Sequence, residues 1–312
     1  MCDQHARMAE RSKAPDSSET LNATERSGIG IDAWVEMNAN AAEISIKVDY
    51  DKNSGSSWSD MRCFHSKPFQ VAGFQWEFSG KTECNEAFLF NVTEIRVTCK
   101  PIGNYSKLTI WSSEASGAVE LFDLNSLIKT KETWSLTFDN HYSVEDVPVQ
   151  FLRMVPSRSR LMTVRDWHQF QNSMNRPTET SHSFFTVTFT LNVNRSFVID
   201  LSACNNPMIE SSDDAVQVSV IGTKLWLSKS KLSATCLFFH NLFNGDFLEK
   251  RTGQFELNNG RLHEFLRFLS HVYGMPVRIT DYNVDYLREF ADYFQCDAVI
   301  EQCEDFIKSK HF

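Results

Sequence analysis

The nine histidines and scattered carboxylates are the side chains with which this chain could move protons. Their spacing arms none of the usual reactions. There is no H-E-x-x-H pair to hold zinc, no G-x-S-x-G turn to expose a nucleophile, and no phosphate-cradling or dinucleotide glycine fingerprint. His168 follows Asp166 by two positions, which sets a base beside an orienting carboxylate, but no nucleophile accompanies them in sequence. His240 and His271 fall inside stretches with helical spacing and read as packing or partly exposed residues. Asp213, Asp214, Glu304 and Asp305 sit at element ends, where solvation and helix charge account for them. The eight cysteines form no C-x-x-C pair, so neither a zinc finger nor a dithiol redox motif is supported. The expectation is a protein without catalytic residues, cofactor or metal.

Charge and hydropathy narrow the remaining classes. A formal net charge of −9 disfavours wholesale binding to nucleic acid or anionic lipid. Arg153, Arg158, Arg160 and Arg165 form a local basic cluster, but aromatic interleaving and a glycine cradle are missing, so a solvated loop explains it. No run approaches the ~18 apolar residues of a membrane span. Residues 1–28 are polar, without the apolar stretch of a secretory signal, and read as a flexible tail. An intracellular protein with reduced thiols is expected, in cytoplasm or nucleus.

The elements that would position any binding residue divide into two groups. Over residues 29–193 the period is two. Ile44, Ile46, Val48 and Tyr50 alternate with polar neighbours, as do Trp76 and Phe78, then Ile95, Val97 and Cys99, then Leu108 and Ile110, then Trp134, Leu136 and Phe138. The run Phe185, Val187, Phe189, Leu191 and Val193 is the clearest of these. Two-faced strands separated by Gly, Asn, Ser and Asp turns predict an antiparallel β-sandwich. Residues 194–212 read as a linker, apolar at Phe197, Val198, Ile199 and Leu201 and broken at Asn205-Asn206-Pro207. As a linker it would pack on its neighbours.

Residues 213–312 change character. Val216, Val218 and Val220 alternate with Gln217 and Ser219, a turn covers residues 221–224, and Leu225-Trp226-Leu227 returns. Helical spacing then runs through Leu232, Cys236, Phe239 and Leu242-Phe243. It recurs at Leu262, Phe265-Leu266 and Leu269, at Val284, Leu287, Phe290-Ala291 and Phe294, and at Val299, Cys303, Phe306 and Ile307. Strands first and helices afterwards predict a compact α+β unit, giving an α+β two-domain chain.

An ordered series of residues in this second unit resembles the BTB (POZ) domain. It comprises the Ser228-Lys229 helix start, Phe238-Phe239, Phe243-Asn244-Gly245-Asp246-Phe247, Tyr273-Gly274, Ala291-Asp292 and Cys303-Glu304. The first unit resembles a MATH (TRAF-type) sandwich through Val71-Ala72-Gly73-Phe74-Gln75-Trp76, through Trp167 and Phe170, and through the terminal strand SFFTVTFTLNV. The two resemblances together imply a MATH-BTB adaptor that pairs with a second copy of itself, docks onto a cullin scaffold of a ubiquitin ligase and recruits a protein client through the sandwich. BTB domains often pair through elements just upstream of their first strand, so the resemblance offers residues 194–212 as part of a dimer interface, against the plain linker reading.

The resemblance also implies a docking site. Cullin-binding BTB domains carry, after the helix that ends here near Phe243, a hydrophobic residue, any residue and then glutamate; this chain has Phe247-Leu248-Glu249. An exposed aromatic can seat in a partner groove while the carboxylate fixes orientation through a charge-assisted hydrogen bond. The opposing reading folds Phe247 onto its own core and leaves Glu249 as a solvated charge. Two departures stand out: the helical extension of many cullin-binding relatives does not follow before Phe312, and the aspartate of the family's dimer pocket falls on Ala215, with Asp214 one residue early. Client-binding residues do not transfer, since the sequence around Trp167 and Phe170 aligns ambiguously. A BTB scaffold or transcription-linked interaction protein without cullin binding is the alternative.

Overall fold

The structure is a computed structural model that describes residues 31–37, 39–50, 62–84, 90–123, 128–147, 183–247, 249, 255–257 and 261–310. The tail 1–28, Asp166, Trp167, His168, Phe170, the four-arginine cluster and Leu248 lie outside the described residues.

Alternating apolar residues build two antiparallel sheets. One runs β1 (Ile31–Met37), β2 (Ala41–Tyr50), β10 (Ser183–Asp200), β7 (Thr109–Asp123) and β8 (Ile128–Asp139) in that spatial order. The other runs β3 (Arg62–His65), β5 (Phe74–Cys84), β6 (Phe90–Pro101) and β9 (Val144–Asp146), with β4 (Phe69–Val71) also paired to β5. The inner faces meet in an aromatic core: Phe78 stacks on Phe189 with centroids 4.7 Å apart, and Trp76 meets Phe138 edge-on at 5.3 Å. Such pairs add to the burial of large rings, whose removal from water is the main stabilising term. The sandwich expected from the period of two is present.

The linker reading needs correction at its start. Residues 194–200 are not a connector but the continuation of β10, paired with β7 through Ile199 opposite Ile110. A register shift between Val193 and Arg195 interrupts the alternation. One extra residue re-aims every side chain beyond it, and Ile199 and Leu201 therefore leave the sandwich core. With Leu108 and Ile110 they join the core of the second unit. Leu108 and Ile110, expected in the sandwich, thus face the other way. Irregular turns follow from residue 201 to the next strand.

In the second unit β11 (Ala215–Val220) and β12 (Thr223–Ser228) form a hairpin, and β13 (Phe255–Leu257) pairs with β11 in parallel. Ile221 and Gly222 make its two-residue turn, with φ of 48° and 73°. Both signs suit a hairpin whose turn must match the strand twist. Glycine accepts that backbone freely, whereas a β-branched residue at positive φ is strained. Ile221 is half exposed, and its backbone N–H donates to Leu257 O at 3.1 Å. Ile221→Asn should therefore raise stability by about 1 kcal/mol, read as an increased midpoint in urea unfolding; an unchanged or lower midpoint would show that the isoleucine side chain compensates for its backbone.

The helices are α1 (Lys229–Thr235), α2 (Leu237–Asn244), α3 (Leu262–Val272), α4 (Val284–Tyr293) and α5 (Asp297–Ser309). Ser228 starts α1 as its cap, its hydroxyl accepting from Lys231 N–H. The single periodic run read through Leu232, Cys236 and Phe239 is two helices, because Cys236 is extended at φ −126°, ψ 121°. Both flanking helices still bury that face, with Leu232, Cys236 and Phe239 fully enclosed, so the apolar spacing survives the break.

Candidate partner-docking site

Helix α2 is pinned from within and open from without. Phe239 and Phe243 point to the core, where Phe239 stacks on Phe294 at 4.9 Å and Phe243 meets Phe255 edge-on at 5.2 Å. Leu237, His240, Asn241 and Asn244 are exposed on the opposite side. Gly245 closes the helix, its N–H donating to Asn241 O at 2.7 Å.

Phe247 follows directly. Its ring lies over Gly245: a Cβ on that glycine would come within 2.5 Å of Phe247 Cε2 and 2.6 Å of Asn241 O. The missing Cβ thus leaves the space beside the helix end that an edge of the ring occupies. The ring is not sealed, for Phe247 remains 47% exposed. The fold-back reading is therefore met only in part, since one side covers the glycine and the other is open. Glu249 is half-buried two positions on, in a helical turn. At the other end of α2, Leu237 and Tyr293 are exposed apolar groups, with Tyr293 packed on Phe238 at 5.6 Å.

Asp214 has a structural task. Its carboxylate accepts from Ser230 N–H at 2.7 Å, from the Ser228 hydroxyl at 2.8 Å and from Glu210 N–H at 3.2 Å. Partial burial opposes its charge, but these donors outweigh that and hold the carboxyl below the usual carboxylate range. The side chain is occupied in anchoring the start of α1.

The two histidines read as packing or partly exposed residues divide between those roles. His240 is exposed on α2, and His271 is buried with Nδ1 3.0 Å from Gln302 Oε1. Among the described residues no three His, Cys, Asp or Glu side chains converge as a metal site, and no helix is long and apolar enough to cross a membrane.

A pairing that sequence reasoning missed lies between the two units. Arg267 of α3 and Asp139 at the end of β8 form an ion pair at 2.7 Å, with both side chains almost wholly buried. The only hint available was a charged residue on the apolar face of a helix, between Leu266 and Phe268.

Comparison with known proteins follows the same division. Residues 205–311 match the BTB/POZ domain. BTB and MATH domain-containing protein 38 of Caenorhabditis elegans is 27% identical over 256 residues, covering 80% of this chain and 60% of that protein. BTB and MATH domain-containing protein 36 of the same organism is 22% identical over 272 residues, covering 84% and 77% respectively. Kelch repeat and BTB domain-containing protein 1 of Cowpox virus (strain Brighton Red) is 29% identical over 76 residues, which is 24% of this chain and 14% of that protein. The chain thus spans only 60% of the length of the first of these relatives. The domain match begins at residue 205, inside the segment read as linker. A BTB/POZ domain behind an antiparallel sandwich, with similarity to BTB and MATH domain-containing proteins over most of the chain, supports a protein of the MATH-BTB type.

Proposed function

We propose that the protein is a recruiting adaptor of a cullin-based ubiquitin ligase: its BTB unit pairs with a second copy and docks the cullin, and its sandwich holds the client. It carries out no bond chemistry itself. The observation that supports this most directly is Phe247, an aromatic ring held on a glycine at a helix end with nearly half its surface open, in the position the family uses for docking. Exposed Leu237 and Tyr293 at the far end of α2 widen the apolar footprint. Partner grooves of this kind are dominated by one or two anchors, and Glu249 supplies the adjacent carboxylate for orientation. Delivery then rests on proximity, since a tethered client meets the ligase at high effective concentration and a paired adaptor adds avidity.

The test is co-purification with purified cullin. Replacing Phe247→Ala together with Glu249→Ala should lower affinity by at least ~30-fold, the equivalent of losing one anchor worth about 2 kcal/mol. Light scattering should show the oligomer unchanged. Undiminished binding by that variant would remove the site. Failure of the unaltered protein to bind any cullin would favour the second reading, a BTB scaffold that only oligomerises and gathers partners.

A further inference from the structure

We propose that the sandwich and the BTB unit move as one rigid body, locked by the buried Arg267–Asp139 pair and its Arg278–Glu145 rim, so that whatever the sandwich holds keeps a fixed position relative to the BTB surface. The proposal does not depend on which partner docks.

Four observations meet at this seam. First, Asp139 is held from its own side. Its Oδ1 accepts the N–H groups of His141 at 2.8 Å and Tyr142 at 3.2 Å, which aims the carboxylate across the seam. Second, Arg267 is held from the other side, its Nη2 donating to the Arg278 carbonyl oxygen while Nη1 meets Asp139. Third, Tyr142 lies between two guanidinium groups, 5.8 Å from Arg267 and 5.9 Å from Arg278, and its hydroxyl donates to Thr280 Oγ1 at 3.3 Å. Arg278 adds the 2.9 Å pair with Glu145, at the partly exposed rim. Fourth, the apolar floor is shared. Leu108, Ile110, Ile199 and Leu201 come from the sandwich strands and their extensions but pack in the BTB core, and Trp226 N–H donates to Leu201 O at 2.7 Å.

The chemistry favours one orientation over many. An ion pair withdrawn from water contributes little net stability, yet separating it leaves two uncompensated charges in an apolar seam. Any tilt of the sandwich must break Arg267 from Asp139, and the planar, multiply bonded guanidinium tolerates little displacement. Relative motion is the default for two domains joined by a small polar contact. Here continuous strands, a shared core and a sealed charge pair remove that freedom.

The experiment is double electron–electron resonance on the full chain. Spin labels enter through a non-canonical amino acid at Gln70 on the sandwich and Glu301 on α5, both exposed, and labelled chains are diluted in excess unlabelled chain to suppress distances between copies. One narrow distance distribution is expected. Asp139→Asn keeps an oxygen for the His141 and Tyr142 N–H groups but removes the charge, and should broaden the distribution at least twofold. Arg278→Glu should broaden it less, and Glu145→Arg added to it should restore the narrow peak. A broad distribution in the unaltered protein overturns the proposal, as does an Asp139→Asn distribution as narrow as the original. If Asp139→Asn does not fold, the rim pair decides: no broadening in Arg278→Glu, or no recovery in the charge-swapped pair, also overturns it.

Discussion

Phe294→Ala should cost about 4 kcal/mol, within the range for truncating a buried phenylalanine, and leave the BTB unit close to unfolding at 25 °C. Phe294 is 1% exposed and sits where three helices converge. Its ring stacks on Phe239 at 4.9 Å, Phe268 at 5.3 Å and Phe290 at 5.9 Å. It meets Phe238 at 5.3 Å, Phe265 at 5.8 Å and Tyr293 at 4.9 Å edge-on. Stacked and edge-on geometries each add to what burial alone supplies, and they are not additive, because one ring serves all six. Its carbonyl also accepts Phe238 N–H at 3.2 Å, which ties the end of α4 to the start of α2. A cavity here is walled by rigid rings that collapse poorly. Domains of this size are stable by only about 5–15 kcal/mol, so one substitution removes a large share. Urea unfolding followed by far-ultraviolet circular dichroism measures it. A loss below about 1.5 kcal/mol would mean that the cluster repacks around the gap, and Phe294→Leu should fall near half the alanine value.

The same cluster shows what could be read from the chain. Phe239, Phe265, Phe290 and Phe294 stand at helical spacing in three segments, and all four are buried. Val216, Val218 and Val220 are buried between half-exposed neighbours, as the alternation requires. Local periodicity reports which face an element buries, and that signal is intact in both units. What it cannot report is a change of face within one strand. Beyond the shift between Val193 and Arg195 the apolar set of β10 turns to another core, so Phe197 to Leu201 looked like a connector when read by the earlier phase. Leu108 and Ile110 differ in another way: the phase of β7 is unbroken, and they lie on the face opposite Trp111, Ala115, Val119 and Leu121, a face that the second unit covers. Nor does periodicity report pairing between distant charges. Arg267 stands out as a charge on an apolar helix face, but nothing in the sequence names Asp139 as its partner until the fold brings the two units together.

For the proposed docking residues, the position of Phe247 beyond the α2 end was legible in the sequence, but the pose of its ring was not. The order Phe243-Asn244-Gly245-Asp246-Phe247 located it. Whether the ring would be buried depended on Gly245, which has no Cβ and so lets the ring settle on the helix end without entering the core. That outcome is a matter of packing geometry. It leaves an open ring that a partner can cover without any rearrangement of α2, which limits the ordering cost of binding.

Acidification should weaken the fold, and His271 by itself should account for about 3 kcal/mol of the loss between pH 6.5 and pH 4. Burial is the main cause, aided by the positive charge of Arg267 one turn earlier on α3; the hydrogen bond to Gln302 and the charge of Asp139 oppose them, and the imidazole pKa is lowered to about 4. Neutral His271 fits its surroundings, with Nδ1–H donating to Gln302 Oε1 and Nε2 buried without a partner. A proton on Nε2 would be an enclosed charge with no acceptor. In the unfolded chain the ring takes up that proton near pH 6.5, while the folded protein refuses it until about pH 4. Throughout that window the unfolded state binds more protons, so stability is complete above pH 6.5, declines as pH falls, and levels off below pH 4 as far as this group is concerned. His271→Gln keeps a donor for Gln302 and has nothing to titrate. The stability difference between pH 7 and pH 4.5, measured by urea unfolding at both, should therefore shrink by about 2–3 kcal/mol in the variant. Equal acid sensitivity in the two proteins would assign the loss to carboxylates elsewhere. Because the new charge would form one helical turn from Arg267, its repulsion acts on the guanidinium that holds Asp139. The seam between the units should then loosen before the sandwich core does, and amide exchange at pH 4.5 should rise first at His141 and Tyr142, whose N–H groups rest on the Asp139 carboxylate.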